Sequence, residues 1–110
     1  MKYWISKTDT SSQQYLDNNE RYTKLIEQLR QRQEIAISGG PGRAKSIQRH
    51  LDRNKVLARD RIDMIVDSES PFLELSTLAS WGQHNDEAPG AGIITGIGLI
   101  HEVPYMFIAN

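Results

Sequence analysis

The chain has 110 residues, of which 38% are hydrophobic and 25% are charged, and it contains no cysteine. This length allows one small domain with a core, and the composition is typical of a globular protein and not of a disordered or fibrous one. The lack of cysteine excludes disulfides and cysteine-ligated zinc, and it suits a reducing compartment. No apolar run is long enough for a bilayer, and residues 1–7 lack the pattern of a secretory signal, so we expect neither feature.

Charge is distributed very unevenly along the chain. Residues 1–61 hold all 13 Lys and Arg against 7 acids, a formal charge of +6, whereas residues 62–110 hold 7 acids and no Lys or Arg, a formal charge of −7. The densest part, residues 43–61, has seven basic and two acidic residues, an excess of +5. Taken alone, such a segment indicates a solvated helix surface somewhat more strongly than an anion site.

The first half of the chain is predicted to be helical. Residues 1–10 are polar and are expected to be a flexible N-terminus, ahead of one region spanning residues 11–110. A long helix should begin after Ser11 or Ser12, either of which can serve as N-cap, and end at the Gly-Gly-Pro-Gly of residues 39–42. Its narrow apolar stripe consists of Tyr15, Tyr22, Ile26 and Leu29. A helix so long and otherwise so polar is expected to pack along a partner.

Two short helices are predicted next, over residues 43–53 and 56–66, with Asn54 in the positive-φ position that closes the first. The second should bury Ala58, Ile62 and Ile65 on one side.

The second half is predicted to form strands. Residues 72–75 fit a short strand, residues 80–92 a loop, and residues 92–100 and 105–109 a hairpin that turns at residues 101–104. The nearly continuous apolar sequence of the hairpin indicates strands covered on both faces. Since two strands cannot provide that cover themselves, we expect the chain to be a piece of a larger sheet.

No catalytic constellation can be assembled from these residues. The glycines at 39–42 and 90–92 lack the spacing of a P-loop or a dinucleotide fingerprint, and no Gly-x-Ser-x-Gly elbow is present. The three histidines, His50, His84 and His101, form no metal-ligand pair, and the adjacent Asp86 and Glu87 have no acid–base geometry. We therefore predict no metal site and no catalytic residue in this segment.

Three ordered blocks carry a resemblance to a known family. They are Gly-Gly-Pro-Gly-Arg at 39–43 with Asn-Lys-Val-Leu-Ala-Arg-Asp-Arg-Ile-Asp at 54–63, Ser-Pro-Phe-Leu-Glu at 70–74, and Ala-Pro-Gly-Ala-Gly-Ile-Ile-Thr-Gly-Ile-Gly at 88–98. Together they resemble the start of the carboxyltransferase (β) subunit of biotin-dependent acyl-CoA carboxylases, over about residues 20–110. Within the family, the last two blocks most resemble the 3-methylcrotonyl-CoA branch.

The resemblance implies an α/β fold, the N-terminal fragment of a crotonase-like carboxyltransferase domain, with a helical part followed by the first β-strands. It also implies a chemistry in which an acyl-CoA loses a proton and its enolate, held by backbone N–H groups, attacks the carboxyl carbon of carboxybiotin. The glycine-rich loops that would hold the enolate lie beyond these 110 residues in the family, so the fragment should be inactive alone. Asn54 replaces the usual glycine and Asp60 the usual glutamate.

The resemblance further implies site residues, cofactors and partners. Lys55, Arg59 and Arg61 are expected near the phosphates of coenzyme A, with the backbone of Ala58 near its adenine. Biotin would be carried by a partner α subunit, the full-length β subunits would form a homo-oligomer, and neither nucleic acid nor a membrane would be bound. The expected compartment is the cytoplasm, with the mitochondrial matrix as the alternative.

Two other functions stay open. Propionyl-, acetyl- or geranyl-CoA could be the substrate in place of 3-methylcrotonyl-CoA. A non-enzymatic basic helical module for nucleic acid or another acidic partner is the other alternative, although residues 43–61 contain none of the aromatic side chains on which bases stack.

Overall fold

The computed structural model describes residues 3–110. Three α-helices come first, and a three-stranded antiparallel sheet follows. The elements are α1 (Gln13–Ile37), α2 (Ala44–Leu51), α3 (Ala58–Asp63), β1 (Leu73–Leu75), a 3₁₀ turn (His84–Asp86), β2 (Ile94–Ile100) and β3 (Val103–Ala109). The order of helices before strands agrees with the predicted α/β class. No helix within residues 3–110 is long and apolar enough to cross a membrane.

The chain divides into two compact units whose boundary falls within α1: one ends at Gln31 and the other runs Arg32–Asn110. Residues 3–10 form neither helix nor strand and are exposed. Their predicted flexibility stays a prediction.

Helix α1 begins and ends where its sequence predicts. The Ser12 hydroxyl accepts the backbone N–H of Tyr15 at 3.3 Å, which is the expected N-cap bond. At the other end, Gly39 has φ +93°, a conformation that favours glycine and stops the helix. On the surface, Lys24 donates to Glu20 at 2.6 Å. No residue of α1 is buried, so its apolar stripe is exposed.

The two short helices are confirmed, but both are shorter than predicted. Asn54 adopts φ +55°, as expected, and Ile62 is buried with 3% of its surface exposed. The prediction that Ile65 is buried is wrong, since 53% of it is exposed. Helix α3 ends at Asp63, so the helical periodicity that would place Ile65 beside Ile62 no longer applies.

Strand β2 is the centre of the sheet, between β1 and β3. Gly96 and Gly98 of β2 are buried, and the rings of Phe72 and Phe107 meet edge to face at 5.7 Å in the same region. A Cβ on Gly98 would lie 2.8 Å from Val66 Cγ1 and 3.0 Å from the ring of Phe72. The two glycines therefore let the Phe72 ring lie directly on the strand.

The hairpin turn differs from its prediction. Only His101 and Glu102 form the turn, with φ of +51° and +65°, and Pro104 lies within β3 opposite Leu99. Both backbone N–H groups of the turn donate to the carboxylate of Asp67, each at 2.7 Å. This external acceptor holds a two-residue turn that normally favours Asn-Gly, and proline is tolerated because β3 is an edge strand.

The hairpin strands were predicted to be covered on both faces, but neither strand is fully covered. Strand β2 is half-buried or buried throughout, whereas the first four residues of β3 are exposed and Ile108 is 77% exposed. Val66 and the Phe72 ring lie against β2 at Gly98, and α3 contacts β3. The side chains of most β3 residues are nevertheless exposed within the described part of the chain.

Candidate functional site

A cavity of about 340 Å³ lies in the unit that spans Arg32–Asn110. Five segments form its wall: the end of α1 with the following turn, α2 with the residue before it, the start of α3, β1 with the residues that follow it, and the loop that leads into β2. Its volume falls at the lower end of the range of small-ligand pockets, which is roughly 300–1,000 Å³. Apolar residues such as Ile47, Leu57 and Ile93 share the lining with a few charged ones.

The turn after α1 is fixed against the loop that precedes β2. Gly40 has φ +85°, and a Cβ there would lie 2.6 Å from Pro89 Cδ and 2.9 Å from the carbonyl oxygen of Asp86. Pro89 is fully buried, and its carbonyl accepts the backbone N–H of Ser80 at 2.9 Å. This side of the cavity is therefore held by close backbone packing, which only glycine at position 40 allows.

An ion pair crosses from α3 to β1 at the cavity wall. Arg59 Nη1 donates to Glu74 Oε2 at 2.7 Å, and Nη2 donates to Oε1 at 3.0 Å. The side chains are only 30% and 16% exposed. The hydrogen bonds that Arg59 donates to Glu74 raise the pKa of Arg59 above its ordinary value, against the opposing effect of burial. The pair uses two of the five N–H donors of the guanidinium and offsets its charge.

Arg43, directly before α2, is the other arginine in the cavity lining. Its Nε is shielded from solvent and has no hydrogen-bond partner within residues 3–110. No ion pair among these described residues involves Arg43 either. A buried, charged donor without an acceptor is uncommon in folded proteins and calls for an explanation.

The predicted site residues divide into two groups. Ala58 and Arg59 line the cavity, whereas Lys55 and Arg61 do not. Lys55 is exposed, and Arg61 donates to the main-chain oxygen of Asn110. Among the charged lining residues, sequence reasoning missed three: Arg43, Asp60 and Glu74. All three stand in blocks that carry the family resemblance, but nothing in the sequence says that they face the same cavity.

The loop of residues 80–92 has an unusual backbone. His84, Asn85 and Asp86 all have left-handed φ, at 52°, 54° and 56°. The Asp86 carboxylate accepts the N–H of Gly82 at 2.6 Å, and the guanidinium of Arg32 lies 5.6 Å from the centre of the Trp81 ring. Within residues 3–110, no group of three or more His, Cys, Asp or Glu could hold a metal ion.

Taken together, the cavity suits binding better than bond-making. Its charged lining residues are Arg43, Arg59, Asp60 and Glu74. Two of these neutralise each other, and none forms a pair of nucleophile and base.

The family profile of the carboxyl transferase domain matches residues 49–110, which include α3 and all three strands. This chain belongs to that family.

Two curated relatives share this carboxyl transferase sequence over most of the chain. The biotin-dependent 3-methylcrotonyl-coenzyme A carboxylase beta1 subunit of Mycobacterium tuberculosis is 43% identical over 91 residues, which are 83% of this chain and 17% of that protein. The mitochondrial methylcrotonoyl-CoA carboxylase beta chain of Dictyostelium discoideum is 40% identical over 104 residues, which are 93% of this chain and 17% of that protein. The chain thus spans about a sixth of the length of these relatives.

A crystal structure carries the same fold. The beta subunit of the P. aeruginosa geranyl-CoA carboxylase superposes with a TM-score of 0.76 at 28% identity, over 96% of this chain and 19% of that one. The expectations of family and of an α/β, crotonase-like carboxyltransferase fold are therefore confirmed for this carboxyl transferase chain.

Proposed function

We propose that this chain is part of the carboxyltransferase component of a biotin-dependent acyl-CoA carboxylase, and that the acyl group is 3-methylcrotonyl. The observation that carries the proposal is the similarity, over most of the chain, to two subunits named for that substrate. The component would transfer carboxylate from carboxybiotin to the acyl-CoA. Because the chain spans about 17% of these relatives, we propose that it is inactive alone and contributes substrate binding.

The cavity supports binding of one part of an acyl-CoA. A volume of about 340 Å³ suits the base or another compact portion of the coenzyme, but not the whole molecule. Its mixed lining offers apolar contact from Leu57 and Ile94 and charged donors from the two arginines. Donors of this kind form strong, charge-assisted hydrogen bonds with carboxylate and phosphate oxygens.

For the coenzyme we propose four contact residues: Lys55, Ala58, Arg59 and Arg61. Ala58 and Arg59 are supported by their position in the cavity wall. Arg59 would use N–H donors that Glu74 leaves free. Lys55 and Arg61, both exposed, would meet phosphates outside the cavity, and Arg61 would exchange its present main-chain acceptor for one of them.

The partners follow from the same proposal. Biotin would be carried by a partner α subunit. We assign no residue of this segment to biotin binding. The complete β subunits would form a homo-oligomer, and neither nucleic acid nor a membrane would be a partner. We propose the cytoplasm as the compartment, and the mitochondrial matrix is the alternative, because one relative is bacterial and another is named as mitochondrial.

A second candidate substrate, geranyl-CoA, is favoured by the structural similarity to a geranyl-CoA carboxylase subunit. The substrate test combines the complete subunit that carries this segment with its α partner and measures ATP-dependent fixation of labelled bicarbonate. The acceptors are 3-methylcrotonyl-, geranyl-, propionyl- and acetyl-CoA. We expect the highest kcat/KM with 3-methylcrotonyl-CoA. A preference for geranyl-CoA would select the second candidate, and no carboxylation of any acceptor would refute the class.

The contact residues are tested with Arg59→Ala in the same complete subunit. We expect the KM for acyl-CoA to rise about tenfold, because the variant loses one charge-assisted contact with the coenzyme. The KM for free biotin should change little. Equal effects on both substrates would refute a role of Arg59 in binding the coenzyme. Lys7→Ala, outside the basic segment, is the matched control and should leave both KM values unchanged.

A further inference from the structure

The ion pair in the cavity wall leaves part of the Arg59 guanidinium unused. Glu74 meets the group end-on and accepts one N–H from Nη1 and one from Nη2. Of the five N–H donors of an arginine, the Nε–H and one on each Nη therefore remain, all in the plane of the group. Arg59 lines the cavity with 30% of its side chain exposed, so a bound molecule has access to this side chain.

Glu74 is well placed to fix the direction of these remaining donors. It is the middle residue of β1 and lies opposite Gly96 in the central strand β2. Its side chain is more deeply buried than that of Arg59. A carboxylate on a paired strand is a rigid acceptor, whereas a free arginine side chain has many rotamers to lose. We therefore regard Glu74 as the member of the pair that orients the other.

Within residues 3–110, Glu74 provides this orientation by itself. No other carboxylate of these described residues forms an ion pair with Arg59. Asp63, one helical turn later in α3, attracts the charge of Arg59 only through space. Such attraction has no preferred direction, whereas two parallel hydrogen bonds define the plane of a guanidinium.

We propose that Glu74 is a positioning residue of the cavity, which holds the Arg59 guanidinium in the orientation that binds the coenzyme. This inference rests on the proposed function, because it takes Arg59 as a coenzyme contact. The role of Glu74 is indirect, since it acts on the ligand through Arg59 alone. A donor that is oriented in advance loses less conformational entropy on binding than a mobile one, so the ligand binds more tightly.

The test uses the complete subunit that carries this segment, together with its α partner. It measures kcat and the KM values for acyl-CoA and for free biotin, with the acyl-CoA that the unaltered subunit carboxylates best. Glu74→Gln keeps the size of the side chain but offers one oxygen, so it cannot accept both N–H groups. We expect the KM for acyl-CoA to rise about three- to tenfold, and kcat and the KM for biotin to change less than about twofold.

A double variant separates positioning from a purely structural role. Arg59→Ala combined with Glu74→Gln should have the same KM for acyl-CoA as Arg59→Ala alone, because Glu74 has nothing left to orient. A structural role predicts a smaller folded fraction, which lowers kcat and leaves the KM of the remaining enzyme unchanged. Thermal unfolding of each variant verifies that it is folded at the assay temperature.

Glu69→Gln is the matched control. Glu69 is exposed, lies outside the cavity and forms no ion pair in the described part of the chain, so all three kinetic constants should stay unchanged. Glu74→Asp covers the case in which Glu74→Gln does not fold. It keeps the charge but is one methylene shorter, so its KM for acyl-CoA should lie between those of the unaltered subunit and Arg59→Ala.

The outcomes distinguish this inference from the proposed function. An unchanged KM for acyl-CoA in the folded Glu74 variants overturns the inference and leaves the proposed function intact. A lower KM also overturns it, because Glu74 would then compete with the ligand for Arg59. So does a KM of the double variant well above that of Arg59→Ala, since Glu74 would then contact the ligand itself. If the unaltered subunit carboxylates no acyl-CoA, the proposed function and the inference are both refuted.

Discussion

The guanidinium of Arg59 and the carboxylate of Glu74 face each other with two parallel hydrogen bonds, of 2.7 and 3.0 Å, between α3 and β1. Fifteen positions separate these residues in the sequence, and each is largely shielded from water. The pair joins the helical part of the unit to the sheet, and both residues line the cavity together with Leu57 and Ala58. It therefore acts on the shape of the site as well as on its charge.

Glu74→Gln should destabilise the folded chain by about 1–2 kcal/mol, because a partly buried arginine then loses its charged partner. Urea unfolding at neutral pH measures the loss. The double variant with Arg59→Gln should be less destabilised than the sum of the two single variants, since contacting residues couple. Glu87→Gln, exposed and in no ion pair of the described chain, is the control. Additive effects would show that the pair contributes nothing.

Stability should fall with acidity because of Asp67. The N–H groups of Glu102 and His101 lower the pKa of this carboxyl from its ordinary 3.8 in the folded chain. A depressed folded pKa contributes stability above the unfolded value, and that contribution is lost as the pH falls through the folded value. We expect the urea midpoint to decline below about pH 4.

Asp67→Asn provides the comparison. It should be less stable at neutral pH, because an amide offers one oxygen where the turn needs two acceptors. Its midpoint should also depend less on pH between about 2 and 4. Midpoints that run parallel for both chains would contradict this assignment.

Gly40→Ala should be strongly destabilising. Its Cβ would overlap Pro89 Cδ and the Asp86 carbonyl, and its φ of +85° is itself unfavourable for alanine. The two effects together should exceed about 2 kcal/mol. Gly42→Ala is a matched control because it shares a positive φ, +79°, but has no atom within 4 Å of the added Cβ. Only the backbone cost of about 1 kcal/mol is expected there. Thermal or urea unfolding measures both losses of stability. Equal destabilisation by Gly40→Ala and Gly42→Ala would refute the packing argument.

Glu102→Gly should stabilise the hairpin. Glu102 has φ +65° at the second position of the turn, where glycine is preferred. Relief of the left-handed strain should outweigh the extra entropy of the unfolded glycine by up to about 1 kcal/mol. The backbone N–H that donates to Asp67 is kept in the variant. The test compares the urea unfolding midpoint of the variant with that of the unaltered chain. A lower midpoint for the variant would mean that the Glu102 side chain contributes a contact of its own.

Local sequence determined the elements of this chain and its family. The Ser12 cap, the glycines after α1 and the positive-φ Asn54 act through bonds to near neighbours, so their effects can be read from adjacent residues. The three resemblance blocks identified the family for the same reason, since they are contiguous runs of residues. The order of helices before strands followed from helical periodicity giving way to apolar strands, whereas the α/β, crotonase-like fold class was implied by the resemblance.

Tertiary structure decided what depends on distant residues. The turn at residues 101–102 is short because Asp67, 34 and 35 positions earlier, accepts its N–H groups, and helical periodicity could not show that α3 ends before Ile65. The pairing of Arg59 with Glu74 and the unpartnered Nε of Arg43 likewise appear only when the segments meet around one cavity. Sequence spacing specifies which side chains share a helix face or strand face, whereas burial and partnership depend on which faces meet in the folded chain.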